Sequence, residues 1–273
     1  MIVTSSKTTH LAGTAFDSIA EQYDDIFTHS LIGRAQRNAV RQVLRETFRS
    51  GQHVLELNCG TGEDALFLAS MGVSVFACDA SERMITVAAR RVAAERRGAQ
   101  VQLEMRSSEN IGGLRHAAPF DGVLSNFSGL NCVSNLASMA RQLAGMVRSR
   151  GQLVLCLSSR VCLWETLWFL AQRQPHRAIR RWRGATMAQL GEIQLAVQYP
   201  TMSDIQKAFA PAFAVRQRMG IGVTVPPSYL EHLARRFPQL LIGLTAIDRR
   251  VATWPGFRSL GDHTLLVLER TDA

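Results

Sequence analysis

From about residue 50 onward, short apolar runs alternate with segments whose apolar residues recur at helical spacing. HVLELN (53–58), VSVFACD (73–79), VQLEM (101–105), FDGVLSN (120–126) and QLVLCLS (152–158) have strand length, and most are continuously apolar. That is the pattern of strands covered on both faces. Between them, residues 64–71, 82–97 and 134–148 predict helices, with Ser81 as an N-cap and Gly98 as a stop. Strands and helices in this rhythm predict an α/β chain built on a doubly wound, Rossmann-like, mostly parallel sheet. Such a sheet binds its ligand beyond the carboxyl ends of its strands, near the point where the strand order reverses.

Residues 1–50 read as a helical leader, with amphipathic helices over 16–27 and 35–48 and Gly51 closing the second. After residue 159 the rhythm breaks. An apolar helix over 161–171 runs into the Arg-rich QRQPHRAIRRWRG (172–184), followed by a hairpin over 186–199 around Gly191. A helix over 204–209, a strand over 213–219, a helix over 229–237 and a last strand over 263–268 complete the chain. The expected organisation is a leader or lid over 1–50 and one domain over 51–273. Within that domain, 160–212 is an insertion that caps the substrate.

Composition narrows the class. The chain has 273 residues, 47% of them hydrophobic and 19% charged, which excludes disordered and coiled-coil classes. The most apolar stretches, 161–171 and 240–247, fall short of the roughly 18–20 residues of a spanning helix. No apolar signal core opens the chain, so a cytoplasmic protein is expected. Five cysteines form no CxxC pair and have no histidine at ligand spacing, so buried thiols are expected and no metal. The net charge is +9, of which +7 falls in the last 114 residues, much of it on Arg173, Arg177, Arg180, Arg181 and Arg183. A solvated basic face explains this, as does attraction to an anionic substrate or an acidic membrane surface. Nucleic acid is disfavoured, because no basic motif is interleaved with aromatics.

The densest signal is VLELNCGTGEDALFLA, residues 54–69. A strand ends at Asn58, Gly60 and Gly62 allow a tight turn beside a ligand, and a helix N-terminus follows. A second strand closes on Asp79, 17 residues after Gly62, where a carboxylate accepts hydrogen bonds from both ribose hydroxyls. A nucleoside-bearing cofactor therefore belongs across the first two strand ends. GTGEDA (60–65) matches the dinucleotide fingerprint GxGxxA, so an NAD-linked oxidoreductase competes. Glu56 weighs against it: a buried carboxylate repels a pyrophosphate but attracts a sulfonium or an α-amino group.

These residues resemble the class I S-adenosylmethionine-dependent methyltransferases of the small-molecule branch, whose first strand and turn read E-x-G-x-G-x-G. Here Glu56, Asn58, Gly60 and Gly62 take those places, with Asn for the first glycine and Cys59 between. The resemblance implies a seven-stranded sheet with a C-terminal antiparallel hairpin, formed here by 213–219 and 263–268. It implies that S-adenosyl-L-methionine is bound and leaves as S-adenosyl-L-homocysteine. Asp79 and Ala80 fall at the ribose, Met84 beside the adenine, and Ser107 and Ser108 where the family often has G-D-A-E-N-L. Ser107 replaces the usual Asp. Asn126 and Phe127 fall where the family's main chain meets the methionine part, and Tyr23 matches the tyrosine of an F-D-x-x-A-x-x-Y-D leader (16–24).

The implied function is methyl transfer to a small, apolar or anionic metabolite; the alternatives are the NAD-linked enzyme and a non-catalytic cofactor-binding protein. Trp164, Trp168, Arg180, Tyr199 and Tyr229 are the candidates for acceptor contact. His29, His176, His232 and His263 are among the imidazoles outside the predicted sheet core, and none of them is marked as a general base. An N/D-P-P-Y/F tetrad and a paired-glutamate loop are both missing, which argues against nucleic-acid bases and protein arginine as acceptors.

Overall fold

The five predicted strands form as β1 (His53–Leu57), β2 (Ser74–Asp79), β3 (Val101–Met105), β4 (Phe120–Ser125) and β5 (Val147–Ser158). They belong to a seven-stranded sheet of order β3-β2-β1-β4-β5-β9-β8, completed by β8 (Phe213–Ile221) and β9 (His263–Arg270). β9 alone runs opposite to the other six strands. This is a computed structural model, and it describes residues 13–190 and 192–272. The start of the predicted leader and Gly191, at the predicted hairpin turn, lie outside the described residues.

Strand neighbours point into two cores, which explains the continuous apolar runs. Leu55, Leu57, Leu153 and Leu155 pack on one side; Val54, Val154 and Cys156 pack on the other. The second core is covered by α1 (Leu31–Thr47), α2 (Glu63–Ser70) and α3 (Glu82–Ala94). The first is covered by α4 (Leu136–Ala144) and by Ile205 and Phe209 further along the chain. β1 pairs in parallel with both β2 and β4, so the order reverses at β1 and β4. Their carboxyl ends splay there, and the crevice opens.

Several expected boundaries move. The helix predicted over 134–148 ends at Ala144, because Val147 already pairs with Phe120 and belongs to β5. The leader does not form one helix over 16–27: residues 18–22 are turns, and Asp24–Thr28 is a single π-helical turn. α1 starts four residues before the predicted Ala35, because Ser30 caps it by accepting from the Gly33 N–H at 2.9 Å.

After β5 come α5 (Leu163–Ala171), the one-turn α6 (Pro175–Ala178) and a two-stranded ribbon of β6 (Ala185–Leu190) and β7 (Ile193–Gln198). α7 (Met202–Phe209) packs in the sheet's core, so only the earlier part of 160–212 stands clear of the sheet layers. α8 (Glu231–Arg236) is followed by α9 (Pro238–Val251), which the sequence pattern did not predict. Its apolar Leu240, Ile242 and Ile247 are exposed, so no single apolar face announces it. None of the helices in the described residues is long and apolar enough to cross a membrane.

Arg181 is buried and bound inward. It donates to Glu165 Oε2 of α5 at 2.8 Å and to Asp262 Oδ1, just before β9, at 2.8 Å. Arg180 pairs with Glu165 Oε1 at 2.7 Å. Of the two central arginines of the expected basic cap, Arg181 thus fastens α5 to the residue before β9, while Arg180 is tied to α5 and remains partly exposed.

Candidate cofactor and acceptor site

Beyond β1 the chain turns through three left-handed residues, Asn58 (φ 55°), Gly60 (φ 53°) and Gly62 (φ 78°). Gly62 is the N-cap of α2, and a Cβ there would sit 3.1 Å from that of Ala88 on α3. At Gly60 nothing lies within 4 Å of an added Cβ, so its bare backbone faces open space. The Gly60 N–H donates to Asp79 Oδ2 at 2.9 Å, and the Ser81 N–H to Oδ1 at 2.9 Å. Burial raises the Asp79 pKa, while these backbone donors pull it back. Each carboxylate oxygen keeps a lone pair free for a hydroxyl. Asp79 is therefore held in place by the turn it serves.

A cavity of about 190 Å³ opens at this point. Of the residues expected at the cofactor, Tyr23, Asn58, Gly60, Asp79, Ala80, Met84, Asn126 and Phe127 line it. Its far wall is the β6–β7 ribbon, through Ala188, Leu190, Leu195 and Val197. Gly13 and Phe16 of the leader, with Ser128, Gly129 and Cys132 after β4, complete the lining.

The other five expected cofactor residues lie behind the wall. Cys59 is buried, with its N–H bonded to Cys78 O at 3.0 Å, and burial pushes its thiol pKa well up. Gly62 turns toward α3. Ser107 takes no place on the lining, and its carbonyl accepts from the Asn110 N–H. Ser108 supports the site indirectly, donating to Asn58 Oδ1 at 3.0 Å, where Ser125 also donates at 3.3 Å. Asn in the first glycine place has a counterpart across the turn: a Cβ on Gly129 would fall 2.4 Å from the Asn58 side chain. Glu56 is 2% exposed, and its Oε2 has no hydrogen-bond partner among the described residues. Burial, and then the charge of Asp64, push its pKa well up.

After β4, Phe127 (φ 46°) and Ser128 (φ 71°) bend the chain over the crevice. Asn126 sets the bend by donating to Asp64 Oδ2 at 2.8 Å and accepting from the Phe127 N–H at 3.0 Å. Asp64 is paired with buried Arg37, whose guanidinium lies 4.8 Å from the Phe127 ring centroid.

The leader closes the cofactor end. Asp17 Oδ1 accepts from Ser81 Oγ at 2.5 Å and from the Arg83 N–H at 3.0 Å, at the start of α3. Asp24 accepts from Thr61 Oγ1 at 2.7 Å and from Arg91 at 2.9 Å. Tyr23 is pushed up to about 12 by burial, so its hydroxyl stays neutral. The sequence marked Tyr23 for this place but gave no sign of the two aspartate contacts.

The residues expected at the acceptor are not brought to this cavity. Trp164 and Trp168 line a separate apolar groove, with the Trp164 indole N–H donating to Thr224 O at 2.7 Å. Arg180 pairs with Glu165, and Tyr229 stacks on Phe169 at 6.0 Å. Tyr199 is buried beneath Arg181, whose guanidinium lies 5.6 Å from its ring. His29, His176 and His232 are exposed, and His263 is buried with its ring 5.4 Å from that of Phe127; none lines the cavity. Alternation of apolar residues along the ribbon was the available signal for Ala188, Leu190, Leu195 and Val197.

Residues 54–151 match the family described as "Methyltransferase domain". A demethylmenaquinone methyltransferase from Symbiobacterium thermophilum is 31% identical over 150 residues, 53% of this chain and 57% of that protein. The chain thus spans little more than half the length of this curated relative. Among solved structures, the [4+2]-cyclase SpnF aligns with TM-score 0.64 at 14% identity, over 97% of this chain and 98% of that one. A SAM-dependent methyltransferase from Methanosarcina mazei aligns with TM-score 0.56 at 14% identity, over 84% and 97%. At these identities the two structures speak for the fold alone. The matched segment, which holds the Glu56 to Gly62 turn and the Asp79 carboxylate, thus marks residues 54–151 as a methyltransferase domain.

Proposed function

We propose that the protein transfers the methyl group of S-adenosylmethionine to a small apolar acceptor held between the end of β4 and the β6–β7 ribbon. The observation that carries this is one continuous cavity, polar at Asn58 and Asp79 and walled by Leu190, Leu195 and Val197 at the other end. The residues present fit the cofactor. Asp79 offers free lone pairs at the ribose position and Gly60 an open backbone, and Glu56, behind the wall, keeps an Oε2 without a partner among the described residues, from where its charge acts on a cationic group across that wall. Bound there, S-adenosylmethionine supplies an electrophilic methyl on a sulfonium. The protein's part is to orient the acceptor and exclude water, which the apolar ribbon and the leader do together.

No arginine lines the cavity, so the apolar half of the expected acceptor class is favoured over the anionic half. Cys132 is pushed up to about 11 by burial and stays protonated, and among the described residues no histidine lines the space. This favours an acceptor whose nucleophilic atom is ionised or electron-rich before it enters. Demethylmenaquinone, named for the curated relative, belongs to the apolar class.

Calorimetry with S-adenosylmethionine and S-adenosylhomocysteine, and transfer of a labelled methyl to a panel of apolar phenols and quinols, test the proposal. Micromolar binding of both compounds, with transfer to a panel member, is expected. Absence of binding removes the cofactor assignment, and binding without any transfer removes the enzymatic one. Val197→Asp is expected to raise KM for the acceptor by about 10–100-fold, because it sets a carboxylate in an apolar wall, and to leave S-adenosylhomocysteine affinity within about twofold. Equal losses in both would place Val197 at the cofactor.

Glu56 carries a second expectation. Its pKa in the folded state lies above that of an unfolded glutamate, so ionisation opposes folding. Stability is therefore greatest below the unfolded pKa and declines as pH rises toward the folded one. Glu56→Gln is expected to raise the melting temperature of the ligand-free protein at pH 8 while weakening S-adenosylmethionine by about 1–3 kcal/mol. A variant that binds as tightly as the parent would remove Glu56 from the cofactor's environment.

A further inference from the structure

A second cavity, of about 400 Å³, lies between α5 and α9 and shares no lining residue with the first. Its walls are almost wholly apolar, with Trp164, Leu167 and Trp168 on one side and Val223 and Leu244 on the other. The apolar surface continues outward on both helices. On α5, Leu163, Leu167 and Leu170 fall on one stripe at helical spacing, and Leu167 and Leu170 are 55% and 50% exposed. On α9, Leu240, Leu244 and Ile247 do the same, with Leu240 60% and Ile247 47% exposed. Isolated exposed leucines need no explanation, but two apolar stripes on the helices that flank a groove mark a docking surface.

The charges around the groove identify what docks. Arg173 follows α5 by two residues, and Arg250 stands three residues beyond Ile247; both are exposed. Arg236, also exposed, is one helical turn from His232, whose ring lies 6.4 Å from that of Trp168. The carboxylates on α5, α8 and α9 are already engaged. Glu165 is bound by Arg180 and Arg181, Glu231 by the Leu31 and Ile32 N–H groups, and Asp248 by the Thr224 N–H. What these helices turn outward near the groove is therefore apolar or positive. A second copy of this chain is a poor occupant, since a two-fold contact would set one basic face against another with the same charges. An anionic lipid surface supplies both things the face lacks, hydrocarbon for the leucines and phosphate for the arginines.

We propose that the α5–α9 face docks the protein on membranes containing anionic phospholipid. Leu167, Leu170, Leu240 and Ile247 enter the headgroup boundary, and Arg173, Arg236 and Arg250 meet the phosphates. The docking does not depend on what the first cavity binds.

Co-sedimentation of the full chain with vesicles of phosphatidylcholine, alone or with a quarter phosphatidylglycerol, tests this. Binding is expected to the anionic vesicles and not to the neutral ones, and to fall steeply between 0.05 and 0.5 M salt (~14 to ~4 Å screening length). Arg173→Gln with Arg250→Gln is expected to weaken it by about 25-fold, roughly fivefold per charge. Leu240→Ser with Ile247→Ser is expected to abolish it while the melting temperature stays near that of the parent. With the unmodified protein, acyl chains brominated near the headgroup are expected to quench tryptophan fluorescence, which keeps the test decisive should a variant fail to fold. Equal binding to neutral and anionic vesicles, variants that bind like the parent, or absence of quenching would overturn the proposal. So would a solution dimer that the leucine variants dissociate.

Discussion

Arg181→Ala is expected to cost about 3–5 kcal/mol of folding stability, read as a lower urea midpoint with an unchanged slope. The guanidinium is 7% exposed and donates to the Asp262 carbonyl at 2.9 Å, to Asp262 Oδ1 at 2.8 Å and to Glu165 Oε2 at 2.8 and 3.0 Å. Removing it leaves Asp262 as a buried carboxylate whose other donor, Gln36, sits at 3.3 Å. Burial raises the Asp262 pKa, but His263 and Arg181 outweigh it, and the net shift is downward. A carboxylate depressed in this way adds stability above its unfolded pKa and loses it as pH falls through the folded value. In the variant that acid-side loss should shrink, because Asp262 no longer gains from folding. Arg180→Ala, at a side chain 38% exposed, should cost no more than about 1 kcal/mol. Similar small costs for both would mean that the pair is solvated and free to meet a ligand, as the sequence suggested.

Asp79→Ala should weaken S-adenosylhomocysteine by about 2–3 kcal/mol, which is 30- to 150-fold in Kd. Two losses combine. The ribose hydroxyls lose their acceptor, and the Gly60 and Ser81 N–H groups lose the carboxylate that fixes the turn. Asp79→Asn keeps one oxygen and should fall between the parent and the alanine variant. Titration calorimetry separates the three proteins. An alanine variant with parental affinity would place the nucleoside elsewhere and would remove the assignment of this cavity to the cofactor.

Local chemistry was legible in the sequence and tertiary closure was not. The turn from Glu56 to Gly62 and the acid at Asp79 announce themselves because the backbone there needs particular residues at particular φ values. Most of the strands could be read because both faces are buried and the apolar run is continuous. The lining of the acceptor end comes from the ribbon, and nothing in ATMAQL or IQLAVQ says which crevice it folds over. Tryptophans and arginines drew the sequence-based expectation because they are large and charged, yet Trp164 and Trp168 serve another groove and Arg181 serves the core. α9 was missed for a related reason. Its buried side is narrow and includes Asp248, so its pattern lacks the wide apolar face that marks an ordinary surface helix.

The two covers of the cavity are fastened differently. The ribbon's base is fixed from within, by Asn131 donating to Gln198 O at 2.6 Å and by the Arg181 network behind it. The leader is held by Asp17 on the first turn of α3 and by Asp24 on Thr61, the elements that would grip the nucleoside. On the proposed function, holding the leader and gripping the nucleoside would draw on the same elements. If the leader has an open state, whatever firms Thr61 and the first turn of α3 would favour the closed one, and by linkage whatever loosens the leader would loosen those two elements by the same free energy. If the protein acts as proposed, the spent nucleoside would have to leave past the leader, and variants that weaken the Asp17 and Asp24 contacts are expected to change the rate of product release, read by stopped-flow dissociation of S-adenosylhomocysteine.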